Sequence, residues 1–110
     1  MGKTSTGLQE NVAGLLCYVA WWVGGLIFIL LEKDNRFVRF HALQSIIVFG
    51  TLNVILILLT VIPFLGFFVG WIVGGLGFVL WIVLMVKAYQ GEMYKLPVAG
   101  DLAEKWLVNL

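Results

Sequence analysis

ALQSIIVFGTLNVILILLTVIPFLGFFVGWIVGGLGFVLWIVLMV, residues 42–86, runs for 45 positions without Asp, Glu, Lys, Arg or His. A helix of that length would be roughly 68 Å long, about twice the ~30 Å hydrocarbon core of a bilayer. The stretch must therefore fold back, and the turn chemistry inside it is Ile62-Pro63-Phe64-Leu65-Gly66, near its middle. It reads as a transmembrane hairpin with spans over about 42–62 and 66–87.

Working outward, a second charge-free run, Asn11 to Leu31, lies between Glu10 and Glu32 and has the length of one more span. Hydrophobic residues make up 62 % of the 110 and charged ones 12 %, against roughly a quarter charged in soluble domains. The fold class expected is all-α integral membrane: three transmembrane helices in a single domain, 1–110, plus a short C-terminal amphipathic interfacial helix over about 101–110. That last helix opens at Asp101 with Glu104 in capping-box position, and Leu102, Trp106 and Leu110 recur every fourth residue, with Trp106 as an interfacial anchor. The 11–31 run has no basic n-region or A-x-A-like cleavage site, so it reads as a retained span rather than a secretory signal. Met1-Gly2-Lys3-Thr4-Ser5-Thr6 fits the myristoylation pattern, one short enough to arise by chance, and Gly2-Lys3-Thr4 lacks the rest of a phosphate loop. Cys17, the single cysteine, excludes an internal disulfide and reads as a small buried apolar residue.

Charge orients this arrangement. With three spans, Lys33, Arg36, Arg39, Lys87, Lys95 and Lys105 share one side and Lys3 lies alone on the other. By the positive-inside rule the C-terminus is cytoplasmic and the N-terminus and Pro63 turn are outside a cytoplasmic membrane. Asp34 or Asn35 can cap the second helix, and Phe37, Phe40, Tyr89 and Tyr94 fall where aromatics favour the headgroup layer.

Glycine marks the packing face. At 100° per residue Gly66, Gly70, Gly74 and Gly77 fall within an arc of roughly 80°, a doubled G-x-x-x-G. Either the other spans or a second subunit can use it, and a homo-oligomer is expected because three helices leave most of their surface on lipid. In the second span His41, Gln44, Ser45, Thr51, Asn53 and Thr60 scatter over about 200°, too broad for a clean pore lining. Asn53, near the bilayer centre, calls for an interhelical hydrogen bond or a place in a lined path. Arg36, Arg39 and His41 open that helix against its dipole, so an anion is expected nearby: lipid headgroups, or Glu32, Asp34, Glu92, Asp101 or Glu104. Arg36, Arg39, His41, Gln44, Ser45 and Lys87 are thus the candidate lipid-binding or cytoplasmic-mouth residues. No ligand cluster for a metal, no cofactor motif, no nucleophile–base pair and no nucleic-acid patch is visible, so the chain is not expected to be an enzyme.

Two segments carry a resemblance. Glu32-Lys33-Asp34-Asn35-Arg36-Phe37-Val38-Arg39-Phe40-His41-Ala42-Leu43-Gln44-Ser45, and Val86-Lys87-Ala88-Tyr89-Gln90-Gly91-Glu92 with Tyr94-Lys95-Leu96-Pro97 and Gly100-Asp101, resemble the signature of a family of small, largely uncharacterised prokaryotic membrane proteins. Ile62-Pro63-Phe64-Leu65-Gly66 resembles its outer turn. That family is related to the chloroplast inner-envelope protein import component, and this implies a channel- or translocon-like role. The chain is shorter than that relative, has three expected spans rather than four, and has no organellar transit peptide. The alternative is a non-conducting structural or accessory protein that binds anionic lipid and partner proteins.

Overall fold

The computed structural model describes residues 4, 7–96 and 98–109. Most of the Met1–Thr6 acylation pattern, Pro97 and Leu110 lie outside these residues. The described regular structure is helical: α1 (Glu10–Val19), α2 (Trp21–Leu31), α3 (Arg36–Leu59), α4 (Leu65–Tyr89) and α5 (Ala99–Asn109).

The hairpin expected from the charge-free run is present as α3 and α4, which among the described residues are the two helices long and apolar enough to cross a membrane. Helix α3 begins six residues ahead of the expected position 42, because it is capped at Asn35 and takes in Arg36, Arg39 and His41. The Asn35 side-chain oxygen accepts from the Val38 N–H at 3.0 Å, satisfying one of the orphan donors of the first turn. Residues 60–64 then reverse the chain, with Phe64 in the left-handed region at φ 59°. Gly66 follows because a methyl there would run into the Leu59 carbonyl.

The expected continuous span over 11–31 is not formed. It breaks at Ala20–Trp21, where Trp21 takes φ 57°, into helices of 10 and 11 residues. Two glycines let the halves close up. A Cβ on Gly24 would meet the carbonyls of Leu16 and Cys17 on α1, and one on Gly25 would meet the Ala42 carbonyl on α3. Side-chain-free positions are what such backbone approach requires.

The contacts fix the levels along the hairpin. Asn11 donates to the Tyr89 carbonyl at 3.0 Å, a Cβ on Gly14 would touch Ala88, and Trp81 Nε1 donates to the Tyr18 carbonyl. Helix α1 therefore climbs from the last turn of α4 to about its Trp81. Helix α2 descends again, from Ser45, which bonds the Trp21 carbonyl at 2.7 Å, to Arg39, which reaches the Glu32 carbonyl at 2.6 Å. The start of α1 thus lies at the same end as the C-terminus of α4, not at opposite ends as three continuous spans require. Apolar turn residues reach only midway up the hairpin because that is as far as 10 or 11 residues extend, roughly 16 Å.

At this end the core is built from Ala13, Cys17, Tyr18, Phe37, Val38, Phe40, Phe49, Leu84 and Ala88, all buried. Phe37 and Phe40 belong to it and do not sit as surface anchors. Helix α5 also joins this end. It starts at Ala99, so Asp101 is inside the helix rather than its cap, and fully buried Ala103 packs with Phe40 and Leu43. Trp106 remains about half exposed. Beyond Gly50 the α3–α4 pair has little around it, and Val54, Ile57, Leu58, Phe67, Phe68, Trp71, Ile72 and Leu76 are exposed.

Candidate functional site

The break in the first apolar stretch frees carbonyls well away from either end of the molecule. Non-helical backbone at such depth persists only where protein groups satisfy it. Trp81 Nε1, from α4, satisfies the Tyr18 carbonyl at the end of α1, and Ser45 Oγ, from α3, donates to the Trp21 carbonyl in the first turn of α2. These two side chains pin the apex of the α1–α2 wedge to both helices of the hairpin.

A second extended segment is held in the same way. After Gly91, at φ 81°, residues 92–96 run alongside α3 without regular structure, and their backbone needs partners. His41 and Gln44, three residues apart on α3, supply them. His41 Nε2 lies 2.8 Å from the Glu92 carbonyl. A carbonyl only accepts, so Nε2 carries the proton and Nδ1 accepts from the Tyr18 hydroxyl at 2.6 Å. Gln44 Nε2 donates to the Tyr94 carbonyl at 2.8 Å and to the Tyr18 hydroxyl at 3.1 Å. Its Oε1 accepts from the Leu96 N–H at 3.0 Å. Tyr18, His41 and Gln44 are all fully buried, and the rings of Tyr18, Phe37 and Phe40 stand edge-on around the imidazole. The network is closed: the Tyr18 hydroxyl, His41 Nε2, Gln44 Nε2 and the Leu96 N–H each have an acceptor within it.

The cations expected to meet lipid have partners inside the chain. Arg39 Nη1 lies 2.6 Å from the Glu32 carbonyl and 3.4 Å from that of Ile29, a cation on the C-terminal carbonyls of α2, where the helix dipole favours it. The Glu32 carboxylate, wholly buried, accepts from the Asp34 and Asn35 N–H groups at 3.3 and 3.2 Å and so braces the entry to α3. Arg36 is 4.0 Å from Glu104, which also takes Lys95 at 2.6 Å. The hydrogen bond from Lys95 holds the Glu104 carboxyl below its ordinary range, and the charges of Lys95 and Arg36 act in the same sense. Lys87 pairs with Glu92 at 3.1 Å and lies over the Tyr94 ring.

The remaining expected residues lie in the other half of the molecule. Gly66 and Gly77 are used within the hairpin, against Leu59 and Leu52. Around Gly70, Gly74 and Gly75, by contrast, a Cβ would meet nothing within 4 Å. These three line a groove of about 830 Å³ with Leu56, Thr60 and Trp71. Asn53 is exposed. Taking Leu52 and Leu56 as the side of α3 that faces α4, Asn53 and Thr60 project toward the same side of the hairpin as the groove. His41, Gln44 and Ser45 therefore come together, while Asn53 and the open glycines form a separate face. Tyr18 and Trp81 are site residues that the sequence reading does not single out, whereas Glu32, expected as an anionic partner of the cations, meets Arg39 through its carbonyl. An indole N–H and a phenol inside apolar runs each need a partner, and that was the available signal.

The family model for the magnetosome magnetite crystal formation proteins, MamF/MmsF, matches residues 6–103. The chain belongs to this family. It is 53 % identical to a UPF0132 membrane protein of Methanocaldococcus jannaschii, with 96 % of each chain covered. A second UPF0132 membrane protein of that organism is 49 % identical, over 91 % of this chain and 71 % of its own length. One from Archaeoglobus fulgidus is 46 % identical, over 89 % and 95 %. No solved structure matches. The matched region of this MamF/MmsF-family chain takes in the wedge, the hairpin and the extended segment 92–96 together. It is thus a member of a family of small prokaryotic membrane proteins, as the motifs over 32–45 and 86–101 implied.

Proposed function

We propose that this chain is a non-catalytic structural protein of the cytoplasmic membrane that spans it with the α3–α4 hairpin and assembles with further copies of itself. The observation that carries this reading is how the polar groups are spent. His41, Gln44 and Ser45, the residues that would line a cytoplasmic mouth, are committed to the chain's own backbone. Asn53 and the open glycines face outward on one side of the hairpin. In lipid an amide gains from a partner and glycine permits backbone approach, so a second copy meeting the same face suits both.

The α1–α2 wedge is read as re-entrant: it enters and leaves at one membrane face. Lys33, Arg36, Arg39, Lys87, Lys95 and Lys105 then share that end, the 60–64 turn carries no charge, and the basic end is cytoplasmic. Anionic lipid meets this rim through the outer faces of Arg36 and Lys87. A channel- or translocon-like role, which the resemblance to the import component would imply, would need several copies arranged around a path. Purified protein in a planar bilayer, together with disulfide trapping of Asn53→Cys in native membranes, tests the proposal. A covalent dimer with no conductance above the empty bilayer is the expected result. Sustained conductance, or no crosslink at any oxidant level, overturns it.

A further inference from the structure

The molecule has different widths at its two ends. Level with residues 9–21 and 36–49, α1 and α2 stand beside α3 and α4, with α5 packed against the start of α3. From Gly50 round to about Phe78 the hairpin stands nearly alone, and its large apolar side chains are exposed. A helix occupies roughly 80–110 Å² in cross-section, so two additional helices enlarge one half by roughly 160–220 Å². The wedge meets α4 from Tyr89 to Trp81 and α3 at Ser45, so the wide and narrow halves follow one another along the hairpin axis.

The surface of the wide half fits immersion rather than contact with water. Val19, Val23, Leu26, Ile27, Leu30 and Leu31 on the wedge are 42–63 % exposed, in a segment that carries no charge from Asn11 to Leu31. At its apex the Tyr18 carbonyl accepts from Trp81 and the Trp21 carbonyl from Ser45, which lowers the cost of placing the apex in hydrocarbon. A chain of this shape displaces acyl chains in one leaflet far more than in the other.

We infer that the α1–α2 wedge makes this protein a partner for curved bilayers, favouring membranes that are convex on the side of residues 9, 34 and 92. The ligand is the lipid surface itself: a leaflet whose headgroups are spread apart accepts the wide end, and the compressed opposite leaflet accepts the two-helix end. This inference rests on the re-entrant placement proposed above. It adds that the placement has a mechanical consequence.

The test uses the intact protein reconstituted into phosphatidylcholine–phosphatidylglycerol vesicles of about 30 nm and about 200 nm diameter, with binding read as protein per lipid. Single-cysteine variants Gln9→Cys, Asp34→Cys and Ile62→Cys, each in a Cys17→Ser background, report orientation by impermeant maleimide labelling. Expected is a rise in protein density of about twofold or more in the small vesicles, with positions 9 and 34 increasingly labelled from outside. Equal density and equal orientation at both diameters, with position 9 still labelled from the same side as 34, overturns the curvature inference and leaves the re-entrant placement standing. Position 9 labelled from the same side as 62 overturns both.

Discussion

Gln44→Leu should release the segment after α4 while leaving the hairpin intact. Leucine has similar bulk, so the change removes hydrogen bonds rather than volume. Three are lost: two to the backbone at Tyr94 and Leu96, and one to the Tyr18 hydroxyl. The orphaned Tyr94 carbonyl and Leu96 N–H each cost about 1–3 kcal/mol when buried, while hydrogen bonds in membranes average only about 0.6 kcal/mol because unfolded segments find other partners. A local loss of about 2–4 kcal/mol follows. At 1.4 kcal/mol per tenfold, the Leu96 amide should exchange with solvent deuterium about 30- to 700-fold faster. The assay is amide exchange in nanodiscs, resolved to peptides covering 92–96 and α5. Peptides from α3 beyond Gly50 are the internal control and should not change. Unaltered exchange at Leu96 would refute the claim that Gln44 holds this segment.

Other outcomes follow from the same contacts. Gly25→Leu forces α2 away from the Ala42 carbonyl and should destabilise the protein by about 1–3 kcal/mol in thermal or denaturant unfolding. Gly70→Leu with Gly74→Leu meets open space, so the isolated chain should keep its unfolding midpoint while its oligomer, measured by light scattering in detergent, is lost. Glu104, with its carboxyl held low in the folded state, contributes to α5 docking at neutral pH, and that contribution is lost as pH falls through the folded value. Trp106 fluorescence should report this as an acid transition that Glu104→Gln removes.

Much of the fold is legible in the chain because charge and proline are strong punctuation. Pro63 and the uncharged run define the hairpin, and Asn35 and the Leu102–Trp106 spacing define the helix ends on either side. The break at Ala20–Trp21 has no such mark. It lies in an apolar stretch with neither proline nor glycine at the bend, and the residues that stabilise it, Ser45 and Trp81, are distant in sequence. Gly24 and Gly25 are the local trace, since a single crossing has no need of two adjacent glycines with blocked Cβ positions. The polar residues of α3 were legible only once separated. Their 200° scatter is the sum of an inward stripe, His41, Gln44 and Ser45, an outward pair, Asn53 and Thr60, and exposed Thr51 at the other edge of the arc. Glycine spacing alone could not say which of the four would be filled, because Gly66 and Gly77 meet α3 while Gly70 and Gly74 lie where the hairpin opens into a groove.

The central claim is that the first apolar stretch turns back inside the membrane. Impermeant maleimide labelling of Gln9→Cys, Asp34→Cys, Ile62→Cys and Lys105→Cys in sealed vesicles of known orientation tests it most directly. Positions 9, 34 and 105 should react from one side and position 62 from the other; reaction of position 9 from the side of position 62 would contradict it.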